Sequence, residues 1–180
     1  MPMTLSRSLL TVLIPGLIAI APWILMLVQH TSATLGFGEF TTLANALVFA
    51  SAAVAGTFFE AQGANLEVSW DKNRDSIHQV RENWFVYLSR AVEREPVGYR
   101  YVSRLATILC FELAMIYATP IFVVGVCTLA ALRFPGFVLI VTIGGLILAA
   151  GSSFYFYRQA RCTHDVICET RKELNVRTAS

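Results

Sequence analysis

Four stretches of this chain carry almost no charge and are long enough to cross a bilayer: about Ser8–Gln29, Phe40–Phe59, Leu105–Leu132 and Phe134–Tyr157. A helix rises about 1.5 Å per residue and the hydrocarbon core is about 30 Å thick, so roughly 20 apolar residues suffice to span it. Composition agrees: of 180 residues, 56% are hydrophobic and 14% charged. A soluble domain of that size cannot hide so much apolar surface, least of all in long unbroken runs. The expected fold class is all-α: an integral membrane four-helix bundle, with a short amphipathic cytoplasmic helix between helices two and three.

The first run needs separate treatment, because Arg7 followed by apolar residues imitates a secretory signal and Ala19-Ile20-Ala21 imitates its cleavage site. The run is longer than the usual 7–15 or so residues of a signal core, and Pro22 would follow the cut directly, so a retained anchor is expected. A polar link from His30 to Glu39 joins the first two spans. Only Arg133, Phe134, Pro135 and Gly136 separate the last two, which requires a tight antiparallel hairpin. The chain thus divides into a first transmembrane hairpin (residues 1–59), a cytoplasmic helical loop (60–104), a second hairpin (105–157) and a basic cytoplasmic tail (158–180).

Orientation follows from the basic residues flanking the spans. Arg7 precedes the first; Lys72, Arg74, Arg81, Arg90, Arg94, Arg100 and Arg104 lie between the second and third; Arg158, Arg161, Arg171, Lys172 and Arg177 follow the fourth. Arg133 alone falls on the opposite side. Both termini and the middle loop are therefore expected in the cytoplasm, at the inner membrane. There the compartment is reducing, so Cys162 and Cys168 in the tail are not expected to form structural disulfides.

Within the middle loop, Asn73 is a plausible N-cap, and Ile77, Val80, Trp84, Leu88 and Val92 recur at helical spacing until Glu95-Pro96 and Gly98 end the pattern. This apolar stripe either packs on the membrane surface and the bundle's own end or docks a soluble partner. For docking, the candidates are Arg74, Arg81, Trp84, Arg90 and Arg94.

Among the polar residues near the spans, Glu112 lies about two turns inside the third helix, where an ionised carboxylate needs a partner or water. It either lines a proton or cation path, or sits near the boundary paired with Arg104 or Arg158. Asn45 is a candidate for an interhelical hydrogen bond. Glu60 closes the second span and is expected to meet Arg100 or Arg104 in an ion pair that sets helix register. Small residues spaced four apart, Ala46/Ala50 and Ala52/Gly56 on helix two and Gly145/Ala149/Ser153 on helix four, mark close backbone contacts, within a subunit or between subunits. Phe154 to Tyr157 ahead of Arg158 form an interfacial girdle.

In the tail, His164 and Cys168 stand one helical turn apart with Cys162 nearby, so two metal ligands share a face. Two do not complete a site unless subunits combine, and no metal or cofactor is expected. Arg158 and His164 have the spacing of the Arg and His in HEPN-type ribonuclease motifs, but such enzymes need a helical domain to pair them, and no other catalytic set is present. No direct nucleic-acid binding is expected.

The layout of four spans, a short helical cytoplasmic loop and a basic tail resembles small membrane subunits of bacterial antiphage systems, such as the Kiwa membrane subunit or the membrane accessory of certain CRISPR loci. The resemblance covers the whole chain and is one of architecture. It implies a membrane sensor or scaffold that assembles with its own copies and holds a soluble effector at the inner membrane. The expected function is thus a non-enzymatic oligomeric scaffold or sensor, whose partners are the lipid bilayer, further copies of the chain and a cytoplasmic protein. The competing expectation is an ion channel or small-solute transporter built on Glu112.

Overall fold

A computed structural model describes residues 9–31, 41–79, 82 and 97–177, and all of these except Gln79 and Phe134 are helical, without strands. A π-helical turn at Leu9–Leu13 leads into α1 (Ile14–Thr31); α2 spans Thr41–His78, α3 Val97–Arg133 and α4 Val138–Arg177. A 3₁₀ turn at Pro135–Phe137 joins α3 to α4, closed by the Phe134 and Phe137 amides on the Ala130 and Phe134 carbonyls. Four helices are long and apolar enough to cross a membrane, over Leu9–Gln29, Ala44–Asp75, Arg100–Arg133 and Pro135–Glu173.

The helices outlast the apolar runs that predict them. With 38, 37 and 40 residues, α2, α3 and α4 are each roughly 55–60 Å long, nearly twice the thickness of a bilayer's hydrocarbon. Glu60 therefore does not close a helix; it sits half-buried inside α2, which runs on to His78. Asn73, expected as an N-cap, lies within that same helix, and Ile77 falls in its last turn. No proline or glycine interrupts α2 between Gly63 and His78, so nothing stops the ladder where the polarity changes. It ends at Gln79, whose φ of 47° is left-handed and whose amide bonds back to the Asp75 carbonyl at 2.9 Å. Gly98, expected to end a loop helix, instead lies in the first turn of α3. The tail is equally helical, because α4 continues through Arg158, His164 and Cys168 to Arg177. The rest of the expected loop helix, with Arg81, Trp84, Leu88, Arg90, Val92 and Arg94, lies outside the described residues.

The helix α3 is the hub, packing on α1, α2 and α4. Its small residues Ala114 and Ala118, both fully buried, join Ala19 of α1 and Phe59 of α2 in one core; Leu109 and Leu113 join Trp70 of α2 with Ala160 and Ile167 of α4 in a second, nearer the polar end. In lipid the tails are as apolar as the side chains, so association relies on close packing. The α1–α2 crossing shows this most directly: a Cβ at Gly16 would strike the Ala52 carbonyl, and one at Gly56 the Val12 carbonyl. The expected contacts at Ala52/Gly56 and at Gly145/Ala149/Ser153 are thus made within the chain. Gly145 faces Cys127 of α3, Ala149 is buried, and the Ser153 hydroxyl donates to the Ile116 carbonyl at 3.1 Å. Ala46 and Ala50 are exposed instead. So is much of the apolar half of α4, with Leu139, Ile140, Ile147 and Leu148 facing outward.

Substituting Gly56→Val should destabilise the bundle by about 3 kcal/mol or more, because the obstructing atoms are backbone and cannot rotate away. Ala50→Val, six residues earlier on an exposed face, should change stability by under about 0.5 kcal/mol. Thermal or denaturant unfolding in one detergent checks the contrast.

Candidate functional site: a polar cluster between the second and fourth helices

Beyond Phe59 and Tyr157 the residues change from mainly apolar to mainly polar, yet α2 and α4 stay together, with α3 between them in the second core. Residues at i and i+3 or i+4 on one helix share a face. That periodicity lines up Trp70, Asp71 and Arg74 on α2 against Tyr157, His164, Asp165 and Cys168 on α4.

His164 is the centre of this face and is only 2% exposed. Its Nε2 lies 2.8 Å from Asp71 Oδ1, and its Nδ1 lies 3.3 Å from the Arg74 guanidinium. The Nε2 proton donates to the carboxylate whether the ring is neutral or charged, and although burial opposes the charged form, the Asp71 and Cys168 contacts raise the ring's pKa to about 9; in the neutral form Nδ1 accepts from the arginine. Arg74 also donates to Asp165 Oδ2 at 3.0 Å, and the two form an ion pair. Trp70 stands edge-on to Tyr157 and to His164, with ring centroids 5.4 and 5.7 Å apart. Cys168 Sγ lies 3.9 Å from His164 Nδ1, and the thiol is buried. Glu67, one turn before Asp71, lies close enough to Asp71, His164 and Arg171 to feel their charges.

Beside this cluster a groove of about 740 Å³ opens between the helices, walled by Trp70, Tyr157 and Leu66 and edged by Asn73, Arg161, Asp165 and Glu169. Asn73, Arg161 and Glu169 are exposed, so both signs of charge are presented at its rim.

The order thiol, imidazole, carboxylate across Cys168, His164 and Asp71 is that of a nucleophile, its base and an orienting group. The surroundings do not complete such a site. Cys168 is 5% exposed, and it sits mid-helix, where backbone amides are committed to the helical ladder and none is free to stabilise an oxyanion. What the cluster does supply is a polar lock between two helices outside the apolar layer. Its three donor types (imidazole, thiol, carboxylate) lie within 4.8 Å of one another.

The sequence-predicted residues distribute as follows. Arg74, read as a docking residue, is turned inward onto Asp165 and His164. Arg81, Trp84, Arg90 and Arg94 lie outside the described residues. Asn45 is exposed on α2, so a hydrogen bond from it would reach beyond this chain. Arg100 and Arg104 are exposed near the start of α3. No ion pair joins Glu60 to Arg104 among the described residues. Arg158 is exposed and His164 buried, so the two do not share a face.

Glu112 is buried beside the Thr163 hydroxyl of α4, and among the described residues its Oε2 has no hydrogen-bond partner. Residues 112 and 133 are 21 apart along α3, a rise of roughly 32 Å.

Trp70, Asp71 and Asp165 went unrecognised in the sequence. The available signal was that α2 has no helix breaker after Gly63, which would have placed Glu67, Asp71 and Arg74 on a continued helical face. No family model, curated protein or solved structure matches this chain.

Removing one member of the Glu112–Thr163 pair should be worse than removing both. Thr163→Val leaves a buried carboxyl without its partner and should cost about 1–3 kcal/mol, whereas Glu112→Leu with Thr163→Val together should recover most of that loss. A double-mutant cycle by denaturant unfolding in detergent measures it.

Proposed function

We propose that this chain is a non-enzymatic membrane scaffold or sensor, crossing the inner membrane four times with both termini in the cytoplasm and holding a cytoplasmic protein against the bilayer. The observation that carries this reading is the continuation of α2 and α4 beyond their apolar runs as one unit, closed by the buried His164–Asp71 contact and the Arg74–Asp165 pair. A helix pair that served only to anchor the chain would need no such lock outside the apolar layer. Locked together, the two helices present a preformed groove whose rim carries Asn73, Arg161 and Glu169. A rigid surface loses little conformational entropy on binding, which favours recognition of a partner.

The orientation rests on the distribution of basic residues, since Lys72, Arg74, Arg158, Arg161 and Arg171 all gather at the end that carries the groove. Self-association is supported by the outer face of α4, where a Cβ at Gly144 or Gly151 would meet nothing within the chain and Leu148 between them is exposed. Small residues at such a face allow a second helix to approach closely. An antiphage role, as in the systems that this architecture resembles, would place a soluble effector in the groove. The competing channel reading rests on Glu112, which is buried beside Thr163 of α4.

Two measurements test the proposal. Cys162 is exposed on α4, so a membrane-impermeant maleimide applied to intact cells should label it only after permeabilisation; labelling without it would overturn the orientation. A photo-crosslinker at Asn73 should capture one cytoplasmic protein in cells, and Arg161→Glu should abolish the adduct while leaving the protein folded and in the membrane. Adducts confined to lipid or to this chain itself would sink the scaffold reading.

A further inference from the structure

Asp71, His164 and Cys168 together form a group that neither helix contains alone. Asp71 comes from α2, and His164 and Cys168 come from successive turns of α4. Their ligand atoms lie within 4.8 Å of one another, and two of the three residues are buried. From this juxtaposition we propose that the cluster is a transition-metal site, selective for an ion of zinc type, that staples α2 to α4.

The donor set suits that chemistry. Thiolate and imidazole are the ligands of choice for zinc, with a carboxylate as a common third, and hard cations such as magnesium or calcium would demand an oxygen-rich shell instead. The spacing also suits it. Bonds of about 2.0–2.3 Å at tetrahedral angles hold ligand atoms roughly 3.3–3.8 Å apart. With one ligand atom from each residue, the three lie within 4.8 Å of one another, up to about an ångström wider than that range. Cys168 Sγ is 3.9 Å from Nδ1 and Asp71 Oδ1 is 2.8 Å from Nε2, so a bound ion would take one ring nitrogen and draw in the ligand that now faces the other.

One group stands in the way and one stands ready. Arg74 holds its guanidinium 3.3 Å from His164 Nδ1, occupying with a fixed positive charge the neighbourhood that a metal ion would take. It has a second anchor in Asp165, so it can release the imidazole and keep its ion pair. Glu67, four residues before Asp71, brings a further carboxylate to the same face. It is the nearest candidate for a fourth ligand, which would match an i, i+4 pair on α2 to an i, i+4 pair on α4. The access needed is small: an ion enters where a peptide or acyl substrate could not reach the buried thiol. The site does not depend on the groove binding a partner, and its failure would leave the scaffold reading intact.

The test uses the full chain, purified in detergent and stripped with chelator. Titration with cobalt(II) should saturate at one equivalent per chain, giving tetrahedral d–d bands and a thiolate-to-cobalt charge-transfer band. Zinc should displace the cobalt and raise the thermal midpoint. Cys168→Ser should remove the charge-transfer band and His164→Gln should weaken binding at least about tenfold, while Cys162→Ser should leave the spectrum unchanged. Because the variants could lose their fold, X-ray absorption on the zinc-loaded wild-type chain provides an independent readout and should show sulfur and nitrogen scatterers together. No saturable binding, a charge-transfer band that survives Cys168→Ser, or a zinc shell of oxygen and nitrogen alone would overturn the proposal.

Discussion

Along α2 and α4 the side chains change from apolar to polar while the helix does not, and this one constraint governs how the bundle is held together at each level. Where the helices are apolar on their outer faces, they adhere through close packing of backbone and small side chains. Past that stretch large apolar side chains and paired charges take over, and the contacts change type accordingly. Gly16, Gly56, Ala114 and Ala118 belong to the first regime. Trp70, Ile167, His164 and Asp71 belong to the second.

The hub position of α3 connects the two regimes. Its apolar half carries small residues where α1 and α2 must approach, and its other half carries Leu109 and Leu113, large enough to fill the space between α2 and α4. Glu112 sits at the change-over. One carboxyl oxygen remains unpartnered there, a cost that a core of hydrocarbon alone would not carry. Its contact with Thr163 fixes the register of α4 against α3 just where the polar lock begins, which is the service a buried polar group gives when its contribution to stability is small.

The existence of four long apolar helices, the α3–α4 hairpin and the close contacts at Gly56 and Gly145 were all legible in the sequence, because each follows from a local quantity: run length, loop length or the spacing of small residues. The change in polarity at Glu60 and at Arg158 read equally clearly, but it is a change in side chains and not the end of a helix. A helical ladder stops at a breaker or a competing cap, and between Gly63 and His78 there is none. The assumed N-cap at Asn73 failed for the same reason: an asparagine caps only where the preceding backbone is not already helical.

The cluster itself belongs to the other category. Two of its ligand types, His164 and Cys168, are one turn apart and could be paired from the sequence; Asp71 lies 93 residues from His164 and is one of several acids in its segment. Which of them meets the imidazole depends on the rotation of α2 about its axis and on its axial position against α4. Both are set by how Trp70, Leu113 and Ile167 pack around α3. Periodicity along one chain defines which residues share a face, and hence determined the spans and their seams. The pairing of one face with another is decided by packing between helices, and that information exists only in the tertiary structure.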